Sequence, residues 1–177
     1  MIETGYFATG CFWGAERRFW QTPGAVETAV GYMGGSKASP SYEEVCTGAT
    51  GHAEIVRVRF DTGVTSYRKL LELFWEMHDP TTLNRQGNDS GTQYRSGIYF
   101  ANSEQKAVAQ SLIAEMARSG VYSRPIVTEV LPLANYWPAE DYHQDFFARN
   151  HHQGYCMAVA APKVAKFRHT FARLQKA

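Results

Sequence analysis

Residues 4–20 read TGYFATGCFWGAERRFW, and the spacing of the apolar side chains changes inside this stretch. Before Gly10 the run Tyr6-Phe7-Ala8 is typical of a strand, whereas the apolar residues at positions 12, 15 and 19 recur at helical spacing. The stretch therefore predicts a strand that turns into a helix, with Cys11 at or near the first helical turn.

That position makes Cys11 a candidate nucleophile. Unpaired backbone N–H groups and the positive end of the helix dipole stabilise an anion there, so a thiolate forms more easily than at a free cysteine. Phe12 and Trp13 would add an apolar, aromatic pocket suited to a small group such as a methyl. The alternative is a small buried thiol that packs under two aromatic rings.

The composition indicates a folded, soluble protein without a nucleic-acid or membrane partner. With 44% hydrophobic and 20% charged residues the chain can bury a core, and its net charge of +1 offers no basic field. No apolar run reaches the roughly 18 residues of a membrane span, and no signal-peptide pattern is present. Three cysteines are too few for a secreted disulfide framework. We expect a cytoplasmic monomer in which a thiol has a chemical role.

The order of the predicted elements indicates an α+β fold. Residues 4–101 run strand, helix, strand, strand, helix, strand, the order of a ferredoxin-like split βαβ two-layer sandwich with a largely antiparallel sheet. Two long polar loops, 33–52 and 79–93, interrupt this order. We expect both loops at the sheet edge that carries Cys11, as the walls of an active site.

The rest of the chain adds helices with recognisable starts. Ser66 is placed to cap a helix that ends before Pro80, and Asn102 or Ser103 to cap the next one. After a strand predicted at 126–133 we expect extra C-terminal helices, at 139–150 and 163–174. We interpret residues 1–177 as a single catalytic domain in which 150–177 form a C-terminal tail.

Glu54 is an anomaly in the strand predicted over 53–61. The alternation puts Val56 and Val58 on the apolar face, and Glu54 is the only carboxylate on that face. Poor solvation there would raise its pKa, so that Glu54 could donate a proton at neutral pH. The alternative is a strand carboxylate that pairs with a nearby arginine.

Other polar groups are weaker candidates. Tyr42, Tyr94 and Asp89 lie in the two predicted loops and would supply donors or an acid–base partner, or else be ordinary surface residues. Cys156 lies beside glycine in the predicted tail, 145 positions after Cys11. A thiol in such a tail could move to an oxidised sulfur and attack it, so Cys156 is a candidate resolving cysteine. Cys46 could share that role or simply pack.

Two other chemistries remain open at this point. His143, His151 and His152 with Cys156 are potential metal ligands, although their spacing matches no standard zinc pattern. Cys11 with His52 would make a thiol hydrolase.

Several motifs in register resemble those of the A-type peptide methionine sulfoxide reductases. They are Gly10–Glu16, Gly31–Gly35, Tyr42–Cys46, Gly51–Glu54, His78–Pro80, Gln86–Asp89, Gln93–Ser96, Ala139–Gln144 and Gly154–Cys156. The pattern departs from the family near the C-terminus, where His151-His152-Gln153 stands in place of a common proline and no cysteine follows Cys156.

The resemblance implies a mechanism for the residues already selected. Cys11 would attack the sulfur of methionine S-sulfoxide, free or in proteins, and Glu54 with Tyr42 and Tyr94 would bind and protonate the sulfoxide oxygen. Phe12 and Trp13 would hold the methyl group, and Asp89 would have a supporting role. Cys11 would become a sulfenic acid and then a disulfide with Cys156, which thioredoxin reduces, without a metal or organic cofactor.

Overall fold

The structure, a computed structural model, describes residues 1–150 of the chain. The helix predicted at 163–174 and the cysteine at position 156 lie outside the described residues. Among residues 1–150, no helix is long and apolar enough to cross a membrane.

Five α-helices and eight strands form within these residues. The helices are α1 (Phe12–Trp20), α2 (Tyr42–Cys46), α3 (Tyr67–Met77), α4 (Ser103–Arg118) and α5 (Phe146–Arg149). The strands are β1 (Ile2–Thr9), β2 (Ala25–Met33), β3 (Ala53–Asp61), β4 (Arg85–Gln86), β5 (Asp89–Ser90), β6 (Ser96–Phe100), β7 (Glu129–Pro132) and β8 (Trp137–Pro138). Short 3-10 helices cover Thr92–Tyr94 and Asp141–His143.

The fold is mixed α/β around one central, mostly antiparallel sheet. Its strands follow the order β7-β6-β1-β3-β2-β8, and β4 and β5 form a separate small hairpin. All neighbouring strands of the central sheet run antiparallel except β6 and β7, which are parallel. The prediction of a largely antiparallel sheet is therefore confirmed.

One face of this sheet is covered by α1 and α3. Phe7 of β1 stacks on Phe19 of α1 with ring centroids 5.0 Å apart, and lies 6.0 Å from Phe74 of α3. All three side chains are fully buried. Because burying one such side chain stabilises the fold by about 1.5–3 kcal/mol, this aromatic cluster is a major part of the core.

The predicted alternation of β3 is confirmed. Val56 and Val58 lie in the core cluster that α1 and α3 cover, and Ile55 lies in a second cluster on the opposite face. Glu54 shares the face of Val56 by the two-residue period of a strand.

The prediction of a helix over residues 139–150 is wrong. The segment contains a 3-10 turn and the four-residue helix α5. Asp145, with a left-handed φ of 54°, lies between these two elements and separates them. Glu16 Oε1 accepts the Asp145 N–H at 2.6 Å, and the Gln144 side chain bonds both the N–H and the C=O of Val30. These long-range hydrogen bonds outweigh the local helical pattern.

Two other differences are smaller. The strand predicted at 126–133 is limited to β7, and the loop predicted at 33–52 contains α2. Ser41 and Glu44 form a reciprocal capping box at the start of α2. The serine-x-x-glutamate spacing that produces this box is visible in the sequence.

We expect Asn102→Ala to lower the free energy of unfolding by about 1 kcal/mol, because Asn102 is the N-cap of α4. Its side chain accepts the Gln105 N–H at 2.9 Å. Urea unfolding measures the loss. Ser103→Ala, one position further on, is the matched control and should change stability by less than about 0.5 kcal/mol. Equal losses in both variants would contradict the assignment of the cap.

Candidate active site

Cys11 lies at the turn between β1 and α1, as predicted. It is the N-cap residue of α1, half-buried, and forms no disulfide within residues 1–150. Gly10 before it adopts a φ of +104°, and a Cβ at this position would lie 2.8 Å from Cγ of Gln86. The turn therefore requires glycine, and it brings the loop at 79–93 against the cysteine.

Glu54 is buried behind this turn. Its side chain is 1% exposed, and Oε1 accepts the backbone N–H of Phe12 at 3.1 Å. Oε2 is buried and has no hydrogen-bond partner among residues 1–150. The nearby arginines Arg57 and Arg59 both pair with Glu27. Within residues 1–150 the structure therefore does not support the alternative that Glu54 pairs with an arginine.

Burial raises the pKa of Glu54 to about 8, although the hydrogen bond from Phe12 lowers it and the charge of Asp89 raises it further. Desolvation disfavours the carboxylate because the charged form loses its hydration. The raised pKa that the sequence predicts is thus confirmed, and the carboxyl group is mostly protonated at neutral pH.

Tyr42 and Tyr94 both lie near this carboxyl group. Burial and then the charge of Glu54 raise the pKa of each phenol. The charges of Cys11 and Asp89 also raise the pKa of Tyr94. Both phenols are therefore neutral hydrogen-bond donors, and the structure brings together the five polar residues selected from the sequence.

The two aromatic residues after Cys11 differ in exposure. Trp13 is half-buried and stacks on Phe146, with ring centroids 4.0 Å apart and planes 15° apart. Phe12 is 1% exposed and lies 5.8 Å from the ring of Tyr32. Trp13 thus presents accessible surface to a ligand, while Phe12 is part of the core beside the site.

Two further residues, His143 and Glu140, lie near the site; the sequence indicated His143 only as a potential metal ligand and did not indicate Glu140. Nδ1 of His143 accepts the indole N–H of Trp13 at 2.9 Å, and Glu140 accepts the backbone N–H of Tyr42 at 3.1 Å. These contacts span 130 and 98 positions, so no local pattern could reveal them. The only sequence signal was the motif 139–144.

The structure does not support His52 as a base for Cys11. Its Nδ1 accepts the Gly35 N–H at 3.0 Å and its Nε2 bonds the Lys37 carbonyl oxygen at 2.7 Å. Both ring nitrogens are occupied in closing the loop at 33–52. His52 therefore cannot act as the general base that the thiol hydrolase interpretation requires.

The described part of the chain contains no group of three or more His, Cys, Asp or Glu side chains that could hold a metal ion. His143 uses Nδ1 for Trp13, and the other ligands considered, His151, His152 and Cys156, lie outside the described residues.

Cys46 is exposed and hydrogen-bonded to Tyr42, and burial of its sulfur raises the pKa of its thiol.

A thiol at the start of a helix, beside a buried, protonated carboxylic acid and two neutral phenols, defines a thiol-based oxidoreductase site more readily than a hydrolase site. The thiol of Cys11 supplies the nucleophile, and the carboxyl group of Glu54 supplies a proton to a departing oxygen. A thiol hydrolase would instead need a basic partner for the thiol.

The comparisons with known proteins agree with this class. Residues 3–175 match the family described as Peptide methionine sulfoxide reductase. "Peptide methionine sulfoxide reductase MsrA" of Polynucleobacter asymbioticus is 51% identical over 173 residues, 98% of this chain and 91% of that protein. The chain belongs to the peptide methionine sulfoxide reductase family and is an enzyme that reduces methionine sulfoxide in a thiol-dependent reaction.

Solved structures give the same result. Methionine sulfoxide reductase A of Corynebacterium diphtheriae superimposes with a TM-score of 0.76 at 43% identity, over 84% of this chain and 75% of that one. Reduced Mxr1 of Saccharomyces cerevisiae gives a TM-score of 0.74 at 32% identity, over 88% of this chain and 89% of that one. Mxr1 has also been solved in complex with Trx2.

Proposed function

We propose that this enzyme reduces the S epimer of methionine sulfoxide, free or in proteins, through a sulfenic acid at Cys11. The observation that carries the proposal is the buried carboxyl group of Glu54, which accepts the Phe12 N–H at 3.1 Å and has a pKa of about 8. A protonated acid directly behind a nucleophilic thiol is what removal of a sulfoxide oxygen requires.

In this mechanism the Cys11 thiolate attacks the sulfoxide sulfur and forms an S–S bond, while Glu54 protonates the sulfoxide oxygen. Tyr42 and Tyr94 donate hydrogen bonds to the same oxygen, and Asp89 has a supporting role beside Tyr94. A second proton, the one that the Cys11 thiol releases on ionisation, also reaches this oxygen, so the S–O bond breaks and water departs. A water molecule then attacks the Cys11 sulfur, loses a proton and breaks the S–S bond. Methionine leaves as the thioether and Cys11 is left as the sulfenic acid, so the sulfoxide is reduced by two electrons and the cysteine is oxidised by two.

Trp13, with Phe12 beside it, forms the apolar surface that receives the methyl group on sulfur. Trp13 is accessible and is held between Phe146 at 4.0 Å and Tyr42 at 6.2 Å. The apolar surface lies on one side of the sulfur and the hydrogen-bond donors lie on the other side. Only one epimer can place its methyl group on the apolar surface and its oxygen at the donors, so the other epimer is excluded.

The recycling step uses Cys156 in this proposal. Its thiol attacks the sulfenic acid of Cys11, water leaves, and the disulfide is reduced by thioredoxin. The complex of the similar yeast protein with Trx2 supports this choice of reductant. No metal or organic cofactor is part of the mechanism.

Several broader features belong to the same proposal. We infer a ferredoxin-like split βαβ sandwich, and the sheet order β6-β1-β3-β2 with the intervening helices α1 and α3 supports this inference. The family match over residues 3–175 supports a single catalytic domain over 1–177, with 150–177 as its tail. We also take the enzyme to be a cytoplasmic monomer; neither Cys11 nor Cys46 forms a disulfide within the described residues, which supports a reducing compartment.

The test is a dithiol-dependent assay on the two separated epimers of a methionine sulfoxide. We expect the S epimer to be converted to methionine, and the R epimer to remain. Equal conversion of both epimers would contradict the proposed pocket, and an absence of methionine would contradict the proposed reaction.

Cys156→Ser should leave the first turnover intact and block further turnovers with thioredoxin, because the sulfenic acid at Cys11 then has no resolving thiol. Methionine released per enzyme molecule measures this: about one equivalent, against continuous release by the wild type. Cys46→Ser is the matched control and should recycle normally. Continued turnover of the Cys156 variant would assign the resolving step to another thiol.

A further inference from the structure

His143 is a fully buried histidine that the proposed chemistry does not use. Its ring lies among three aromatic rings of the site, 4.4 Å from Tyr42, 5.3 Å from Phe12 and 5.7 Å from Trp13, measured between centroids. It therefore contacts both sides of the candidate substrate pocket, the phenol side and the methyl side.

The hydrogen bond between His143 and Trp13 has a defined direction. An indole N–H can only donate, so Nδ1 of His143 accepts it, at 2.9 Å. The proton of the neutral ring is then on Nε2, which is buried and has no partner among residues 1–150. Burial lowers the pKa of His143, which keeps the ring neutral and Nδ1 free to accept.

The backbone around His143 is held in place from two elements. On one side of it Glu140 accepts hydrogen bonds from the hydroxyl of Tyr32 and the N–H of Tyr42, both at 3.1 Å. On the other side Glu16 of α1 accepts the Asp145 N–H at 2.6 Å. The position of the imidazole is therefore set by its own backbone contacts. The hydrogen bond between the two rings then determines the orientation of the Trp13 indole, and not that of the imidazole.

We propose that His143 is a positioning residue, whose Nδ1 fixes the indole of Trp13 in the orientation that receives the methyl group of the sulfoxide. This rests on the role of Trp13 in the proposed function. Phe146 holds the same indole by stacking, but stacked rings can rotate in their common plane. A hydrogen bond to the indole N–H removes that rotation.

A role in packing alone would need only the ring of His143, whereas positioning needs its acceptor atom. The two roles are separated by His143→Phe, which keeps a ring and removes the acceptor, and by His143→Gln, which keeps an acceptor oxygen. We expect the phenylalanine variant to raise KM for methionine S-sulfoxide by about 2- to 10-fold, the range for one hydrogen bond, with little change in kcat. The glutamine variant should restore part of this loss.

Nuclear magnetic resonance gives a readout that does not depend on activity. The chain has four tryptophans, and Trp13→Phe identifies the indole N–H signal of Trp13. We expect this signal to shift in His143→Phe and to remain near its wild-type position in His143→Gln. In the wild-type protein, imidazole nitrogen shifts should show a proton on Nε2 and none on Nδ1.

The double variant Trp13→Phe, His143→Phe completes the test. If His143 acts through the indole, its replacement should have no further effect on KM once the indole N–H is absent. Independent effects of the two changes, an unshifted Trp13 signal in His143→Phe, or a proton on Nδ1 in the wild type would each overturn the proposal. Failure of the proposed function would appear separately, as absence of S-epimer reduction by the wild-type enzyme.

Discussion

Cys11→Ser is expected to abolish reduction of methionine sulfoxide. A serine hydroxyl at the start of α1 stays protonated at neutral pH and has no sulfur that can be oxidised to a sulfenic acid, so neither the attack nor the product is available. The N-cap position tolerates serine well, and the fold should therefore be retained.

The measurement is methionine formed in a single turnover without reductant, together with labelling by a reagent specific for sulfenic acids. The wild type should release methionine and become labelled, and Cys11→Ser should do neither. Cys46→Ser is the matched control, since it removes the other described free thiol. Methionine release by Cys11→Ser would assign the nucleophile to a different group.

Glu54→Gln is expected to slow the sulfoxide step by roughly 10²- to 10⁴-fold at neutral pH, the usual contribution of a positioned acid. Glutamine can still accept the Phe12 N–H, so the change removes the acidic proton and little else. Glu27→Gln, on the neighbouring strand β2, is a matched control whose carboxylate pairs with Arg57 and Arg59, and it should react at the wild-type rate. A wild-type rate in Glu54→Gln would refute the acid role.

The pH dependence of the same two proteins provides a second readout. Glu54 has a pKa of about 8 in the folded enzyme, so the wild-type rate of the sulfoxide step should fall as the pH rises through 8 and the proton is lost. The glutamine variant has no such proton and should lack this decline. A decline that persists unchanged in Glu54→Gln would belong to another group.

Stability should follow the same ionisation. The pKa of Glu54 rises from its ordinary value of 4.5 in the unfolded chain to about 8 in the folded protein, so the unfolded chain releases this proton first as the pH rises. The contribution of the neutral carboxyl group to stability is complete below pH 4.5 and declines by up to about 5 kcal/mol towards pH 8. Urea unfolding should therefore show Glu54→Gln gaining stability over the wild type between these two pH values.

The parts of the fold that could be predicted are those that local patterns determine. The strand-to-helix turn at Cys11, the alternation of β3 and the cap at Ser66 each depend on residues a few positions apart. The segment after β8 could not be predicted, because its course depends on hydrogen bonds that Asp145 donates to Glu16 and that Gln144 accepts from Val30, both more than 100 positions earlier in the chain.

The same distinction applies to the candidate site. Cys11 and Glu54 could be selected because each departs from a local rule, one as a thiol at a helix start and the other as a carboxylate on an apolar face. His143 and Glu140 could not be selected as partners of Trp13 and Tyr42, since only the folded chain brings them together.

The sequence by itself determined the identity of the reactive groups and the elements that carry them: a cysteine before a helix, a carboxylate in a buried strand and two loops with phenols. The sequence also indicated that the pKa of Glu54 rises, but only the tertiary structure decided how far it rises and how the other groups are held. The raised pKa of Glu54, the neutral phenols and the fixed indole of Trp13 all arise from desolvation and hydrogen bonds between segments distant in the chain. Burial and long-range contacts are properties of the packed molecule, and no short stretch of sequence contains them.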